Sequence, residues 1–201
     1  MLHIKSFYRT CMDIKWYIVA ALLIFAGGYF IGYRWDGLND FMMAQIEGLS
    51  QLAEEARASD NQELSFFITI FYKNMFVAIL LMFSGIALGV LPALIVLFNG
   101  MVIGFMMKLM VMADQNMFDI VVKGLLPHGI LEMLAILIAA GFGMRFGALT
   151  IQRFSSAYRS RTDSLTYGMW VKKVGAGAVW VTAMLLIAAV IESTITLWLV
   201  S

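Results

Sequence analysis

Long apolar runs separated by short polar segments dominate the chain. A helix needs roughly 20 apolar residues to cross about 30 Å of hydrocarbon, and each run meets that requirement. The pattern predicts an all-α, polytopic membrane protein that forms a single integral membrane domain over residues 1–201. Its five transmembrane helices are expected at about 16–34, 67–89, 92–112, 127–149 and 176–199.

Two of these boundaries rest on specific residues. The apolar sequence from 64 to 113 would measure about 75 Å as one helix, so the chain must reverse direction inside it. Gly89 and Pro92 mark the expected reversal, because proline cannot continue a helical hydrogen-bond ladder. The first apolar run is too long for a signal peptide and lacks a clear cleavage site, so we expect it to be retained.

The segment 36–63 differs in character from the spans. Seven acidic residues alternate there with apolar residues at spacings of three and four, which predicts an amphipathic helix at the membrane surface between helices 1 and 2. A solvated cap and a docking face for a partner both fit this segment.

The positive charges indicate the orientation of the chain. Residues 145–173 hold six Arg and Lys residues and one Asp, and such an excess is typical of a cytoplasmic loop. Counting spans outward from that loop puts the basic N-terminus inside and the acidic segment outside. The predicted topology is therefore N-in and C-out.

Composition excludes several classes of function. Hydrophobic residues make up 62% of the chain and charged residues 13%, with a net charge of +1, so neither a soluble domain nor a nucleic-acid partner is expected. The lone cysteine, Cys11, excludes an internal disulfide and a cysteine-based metal site. No zinc-protease motif, nucleophile elbow, phosphate loop or dinucleotide fingerprint is present, which favours a non-enzymatic protein.

Polar residues inside the predicted spans are the best candidates for a functional site, because they are costly at membrane depth. The candidates for an intramembrane polar cluster are Asn74, Asn99, His128, Glu132 and Glu192. His128 and Glu132 are four residues apart, so they share one face of the fourth helix. Small residues continue along that helix at Ala135, Ala139, Gly143 and Gly147, and such seams mark close helix packing. We therefore expect both side chains to point into the protein.

This cluster has two interpretations from sequence. In the first, its members form hydrogen bonds that hold the helices together. In the second, His128, Glu132 and Glu192 bind a metal, and zinc is the metal that suits imidazole and carboxylate together. Further glycine pairs lie on the other helices, and because they exceed the number of internal neighbours, we also predict self-association as a homodimer.

The motifs that contain these polar residues and glycines also resemble those of a known protein family. The stretch Leu97-Phe98-Asn99-Gly100, the element Leu126-Pro127-His128-Gly129-Ile130-Leu131-Glu132 and the pair Ile191-Glu192 are similar to the stage II sporulation protein M family of bacterial membrane proteins. The Leu-Pro-His-Gly-x-x-Glu element resembles the broad branch, which occurs also in bacteria and archaea that do not sporulate. The resemblance implies a five-helix protein of the plasma membrane that serves as a platform for cell-wall hydrolases rather than as the enzyme.

Three functions are compatible with these features. The preferred one is a non-enzymatic scaffold of a cell-envelope complex, with protein partners in the membrane or envelope, in the plasma membrane of a bacterium or archaeon. The second is an intramembrane metal-binding protein or metal-dependent hydrolase centred on His128 and Glu132. The third is a permease subunit that works with a separate ATPase.

Overall fold

The computed structural model describes residues 3–85, 88–113, 126–154, 161–191 and 193–194. The described elements are helices, and five of them are long and apolar enough to cross a membrane. The elements are α1 (Ile4–Asp13), α2 (Lys15–Arg34), a 3₁₀ turn (Asp36–Leu38), α3 (Asn39–Arg57), α4 (Gln62–Ser84), α5 (Val90–Met112), α6 (Leu126–Phe154) and α7 (Arg161–Ile191). The chain is thus an all-α, multi-pass membrane protein, and the predicted fold class is confirmed.

Helix α6 is the central element of the bundle. It packs against α7, α4, α2 and α5, and 67% of its membrane-spanning window is buried, against 17% for α2 and for α4. Its predicted small-residue seam lies inside the protein, since Ala135 and Ala139 are both fully buried. Gly143 meets the backbone of Leu81 on α4. Small side chains on α6 therefore let the four neighbouring helices pack close to it.

Helices α2 and α5 form the most extensive helix pair, and they meet through glycines. A Cβ atom on Gly28 would lie 3.0 Å from the carbonyl carbon of Leu97, and a Cβ on Gly100 would lie 3.0 Å from the backbone nitrogen of Tyr29. The same close approach recurs one turn along each helix, at Gly32 and Gly104. Backbone-to-backbone packing of this kind is a main source of helix association in lipid.

These glycine contacts remove the reason for expecting a homodimer. The pairs predicted to compete for neighbours face other helices of the same chain, as Gly85 and Gly143 do across α4 and α6. Self-association stays a prediction, but among the described helices the glycine pairs no longer support it.

The turn between α4 and α5 lies earlier than the sequence predicted. Helix α4 ends at Ser84 and α5 begins at Val90, after Leu88 and Gly89 with φ of 64° and 75°. Pro92 is therefore the third residue of α5 rather than its first. Proline is tolerated there because the amides of the first helical turn have no intrahelical partner.

The fifth span also begins earlier than the predicted residue 176. Helix α7 starts at Arg161, within the predicted basic loop, and its membrane-spanning part is Tyr167–Ile191. Aromatic contacts with α6 explain the difference, because Trp170 stacks on Phe142 at a centroid distance of 5.6 Å. The predicted final residues of this span, beyond 194, lie outside the described residues.

Two further helices, of 10 and 19 residues, lie beside the spans. The predicted surface helix is present as α3, which packs against α4 and α5 and exposes about half of the Phe41 side chain. Helix α1 was not predicted, and it packs against α7 and α2. The N-in, C-out orientation of the bundle stays a prediction.

Candidate functional site: an intramembrane polar cluster

Glu132 faces into the bundle from the first third of α6. Residues three, four and seven positions apart lie on nearly the same face of a helix, and Ala135 and Ala139, three and seven positions after Glu132, are buried. Glu132 itself is partly buried. The Glu132 side chain therefore turns toward a neighbouring helix, and its part in a functional site stays a prediction.

The neighbours of Glu132 come from α4. The side-chain amide of Asn74 donates a hydrogen bond to the Glu132 carboxylate, and the charge of Lys73 acts on the same group. We call these three residues, Lys73, Asn74 and Glu132, the α4–α6 polar cluster. It satisfies a carboxylate that would otherwise be costly at membrane depth, and it links the central helix to α4.

Lys73 was missed by the sequence analysis. The signal was available, because Lys73 is a charge within the apolar run that forms the second span. A charge in such a run needs a partner of opposite sign, and the acidic candidate on the fourth span supplies one.

Asn99 takes a different part from the one predicted. Its side-chain amide donates to the carbonyl of Ile95 on the same helix, at 3.0 Å. The next residue, Gly100, packs on α2 rather than on α4 or α6. In the described contacts Asn99 therefore bonds to its own helix, and none of them joins it to Glu132.

The remaining two candidates leave the zinc hypothesis untested. The side chain of His128 and the whole of Glu192 lie outside the described residues. Across the part of the chain that is described, no three His, Cys, Asp or Glu residues come together as a metal-binding group. Lys73 adds an argument from chemistry, because a resident positive charge beside Glu132 opposes the approach of a metal cation.

Three further polar contacts occur where helices meet. Lys108 on α5 binds Asp36 and, at 3.2 Å, Asn39, which attaches the start of α3 to the span. The Lys108 hydrogen bond and its positive charge hold the pKa of Asp36 below its usual range.

The other two contacts involve different helices. Arg145 on α6 lies 3.4 Å from the hydroxyl of Tyr17 on α2. Lys173 on α7 lies 3.4 Å from the carboxylate of Asp13 at the end of α1. Each of these contacts, like the α4–α6 polar cluster, joins two different elements of the chain.

The comparisons with known proteins identify the family. Neither the curated proteins nor the solved structures that were searched gave a match. The model of one protein family, described as stage II sporulation protein M, matches residues 17–197, which include four candidate spans in full and all but the first two residues of the span Lys15–Arg34. The chain therefore belongs to the stage II sporulation protein M family.

Proposed function

We propose that this protein is a non-enzymatic scaffold that holds other proteins of the cell envelope together in the plasma membrane of a bacterium or archaeon. Family membership supports this proposal, because the resemblance implies a platform for cell-wall hydrolases. A strictly sporulation-linked role is not required by it.

The use of the polar residues carries the proposal. In the described part of the chain, the side-chain contacts of Glu132, Lys108, Arg145 and Lys173 each connect one helix to another element of the same chain. A transport path or catalytic centre needs polar groups that face a cavity or substrate. Here such groups serve as links within the bundle, as expected for a protein whose task is to keep its shape.

The outer surface of α4 offers a place for partners. Its exposed residues repeat at a spacing of four, with Ile68, Tyr72 and Phe76 exposed by 43%, 62% and 68%. They form one row along the helix, opposite the side that packs on α6. Aromatic rows suit both lipid chains and the apolar helices of membrane partners.

The test is site-specific photo-cross-linking in native membranes. The photoreactive analogue benzoylphenylalanine replaces Tyr72 or Phe76, and the control position is Leu23 on α2, which is equally exposed at 67%. We expect the α4 positions to give protein adducts of reproducible mass and the α2 position to give fewer. If all three positions cross-linked to lipid alone, and mild-detergent pull-downs recovered no partner, the scaffold proposal would fail.

The two alternative functions stay predictions with their own measurements. Elemental analysis of the purified protein, compared with a His128→Ala variant, tests for a metal. Flux into reconstituted vesicles in the presence of a co-purified ATPase tests for a permease subunit. Bound metal that depends on His128, or ATP-dependent flux, would each replace the scaffold as the preferred function.

A further inference from the structure

Helix α1 is held against the bundle along one face. The Phe7 ring stacks on Phe142 of α6 and on Trp180 of α7, at centroid distances of 6.4 and 6.0 Å. Thr10 and Ile14, which follow on the same side, are 6% and 1% exposed. The helix is therefore part of the folded protein, with a defined outer surface.

An apolar row lies on the exposed side of α1. Ile4, Tyr8 and Met12 are spaced by four residues, and their exposed fractions are 55%, 64% and 47%. This spacing places them on one face of the helix. A helix in contact only with water would present polar residues here, so the row indicates an apolar environment.

Two cations border this apolar row on the side away from the bundle. Lys5 and Arg9 are exposed and follow Ile4 and Tyr8 directly in sequence, which places them about 100° around the helix. The acidic residue of α1, Asp13, already pairs with Lys173. Among the described residues, neither Lys5 nor Arg9 has a carboxylate partner, so their two charges are available to an external anion.

We propose that α1 lies in the membrane interface and binds anionic phospholipids, with Lys5 and Arg9 on the headgroup phosphates and the Ile4–Tyr8–Met12 row against the acyl chains. An interfacial helix of this kind combines an apolar side with a cationic one. Anionic headgroups attract such cations, and the effect adds up with each charge near the surface.

The first span supports lipid as the occupant. The row of α1 continues beyond the bend at Ile14 into Trp16, which is 73% exposed, and then into Val19 and Leu23 on the outer side of α2. Tryptophan is enriched at the membrane–water boundary. Because this exposed side of α2 belongs to a membrane-spanning helix, the α1 row reaches the same lipid layer.

The experiment is a titration of the full-length protein in an uncharged detergent. Fluorescent phosphatidylglycerol and a matched fluorescent phosphatidylcholine are added separately, and their affinities are compared. We expect phosphatidylglycerol to bind more tightly. Each cation should contribute about fivefold to the affinity for phosphatidylglycerol, so the Lys5→Gln/Arg9→Gln double variant should weaken that affinity about 25-fold. The affinity for phosphatidylcholine should be unchanged.

Two controls separate this effect from general damage. Arg34→Gln removes an exposed cation at the other end of α2 and should leave both affinities unchanged. For the unmodified protein, a rise from about 0.01 M to about 1 M salt shortens the Debye length from about 30 Å to about 3 Å, so the preference for phosphatidylglycerol should decline. Circular dichroism checks that each variant keeps its helix content.

Three results would overturn the proposal. The first is equal affinity of the unmodified protein for the two lipids. The second is a loss of phosphatidylglycerol binding in Arg34→Gln as large as in the double variant. The third is a double variant that binds phosphatidylglycerol normally but shifts from dimer to monomer in light scattering, which would make α1 an interface between copies.

Discussion

Replacing Gly28 by alanine tests whether glycine contacts hold α2 and α5 together. The added Cβ would overlap the carbonyl oxygen of Leu97 and would lie 3.0 Å from its carbonyl carbon. Its neighbour Gly27 provides a matched control, because a Cβ on Gly27 would meet nothing within 4 Å. Both substitutions make the same chemical change in the same helix, one toward α5 and one away from it.

The expected magnitude follows from these distances. The nearest atom is the carbonyl oxygen of Leu97, which the added Cβ would overlap. Because carbon atoms in good contact are about 3.5–4.0 Å apart, the two backbones must separate by about 1 Å. Such a gap removes roughly a quarter to a half of the dispersion energy of each neighbouring contact. Overpacking of this kind costs about 1–3 kcal/mol. Alanine is also a better helix former than glycine by about 1 kcal/mol, and the comparison with Gly27→Ala cancels that gain.

The measurement is unfolding in mixed micelles, followed by circular dichroism as sodium dodecyl sulfate is added. We expect Gly27→Ala to be as stable as the unmodified protein or slightly more stable. Gly28→Ala should be less stable than Gly27→Ala by about 1–3 kcal/mol. Equal stability of the two variants would refute the assignment of α2–α5 packing to direct backbone contact.

Three further predictions concern polar groups. Glu132→Gln should keep the hydrogen bond to Asn74, and because the Lys73 side chain is exposed and can turn toward water, it should lower the free energy of unfolding by no more than about 1–2 kcal/mol in the same assay. A loss of several kcal/mol would contradict a simple linking role. Burial raises the pKa of the Cys11 thiol from 9.0 to about 11. Maleimide labelling of Cys11 should therefore be slow near pH 8 and accelerate toward pH 11. Equal labelling rates for folded and denatured chains at pH 8 would count against a buried thiol. Because the folded state holds the thiol proton more tightly than the unfolded state does, the contribution of Cys11 to the free energy of unfolding is full below about pH 9 and declines as the pH rises above it. Lys108→Gln should raise the pKa of Asp36 and speed hydrogen exchange at the start of α3, and unchanged exchange there would argue against the anchoring contact.

The spans could be predicted from sequence because their signal is local. An apolar run of sufficient length must cross the bilayer whatever its neighbours are, and all five were identified. The start of α7 was placed too late because positive charge marks the side of the membrane but does not end a helix. Helix α1 was missed because it has ten residues and is stabilised by Phe7 contacts with α6 and α7, which sequence alone does not show.

The candidate site was predictable only in part. Glu132 and Asn74 were selected as polar residues at membrane depth, and the structure brings them together. An asparagine in a span can bind a neighbouring helix or its own backbone, and both satisfy its amide equally well. Sequence therefore could not show that Asn74 would do the first and Asn99 the second.

The position of α6 has a consequence for how the protein is made. Helices α2, α4 and α5 leave the ribosome before the helix that all three pack against. The α2–α5 pair can form early through its own glycines. In contrast, α6 and α7, which are the main neighbours of α4, are made after it. Until α6 is inserted, the Lys73 charge on α4 lacks the glutamate that compensates it. Assembly of this protein should therefore pass through a stage in which the second span is in the membrane before the two helices that cover most of its packed surface.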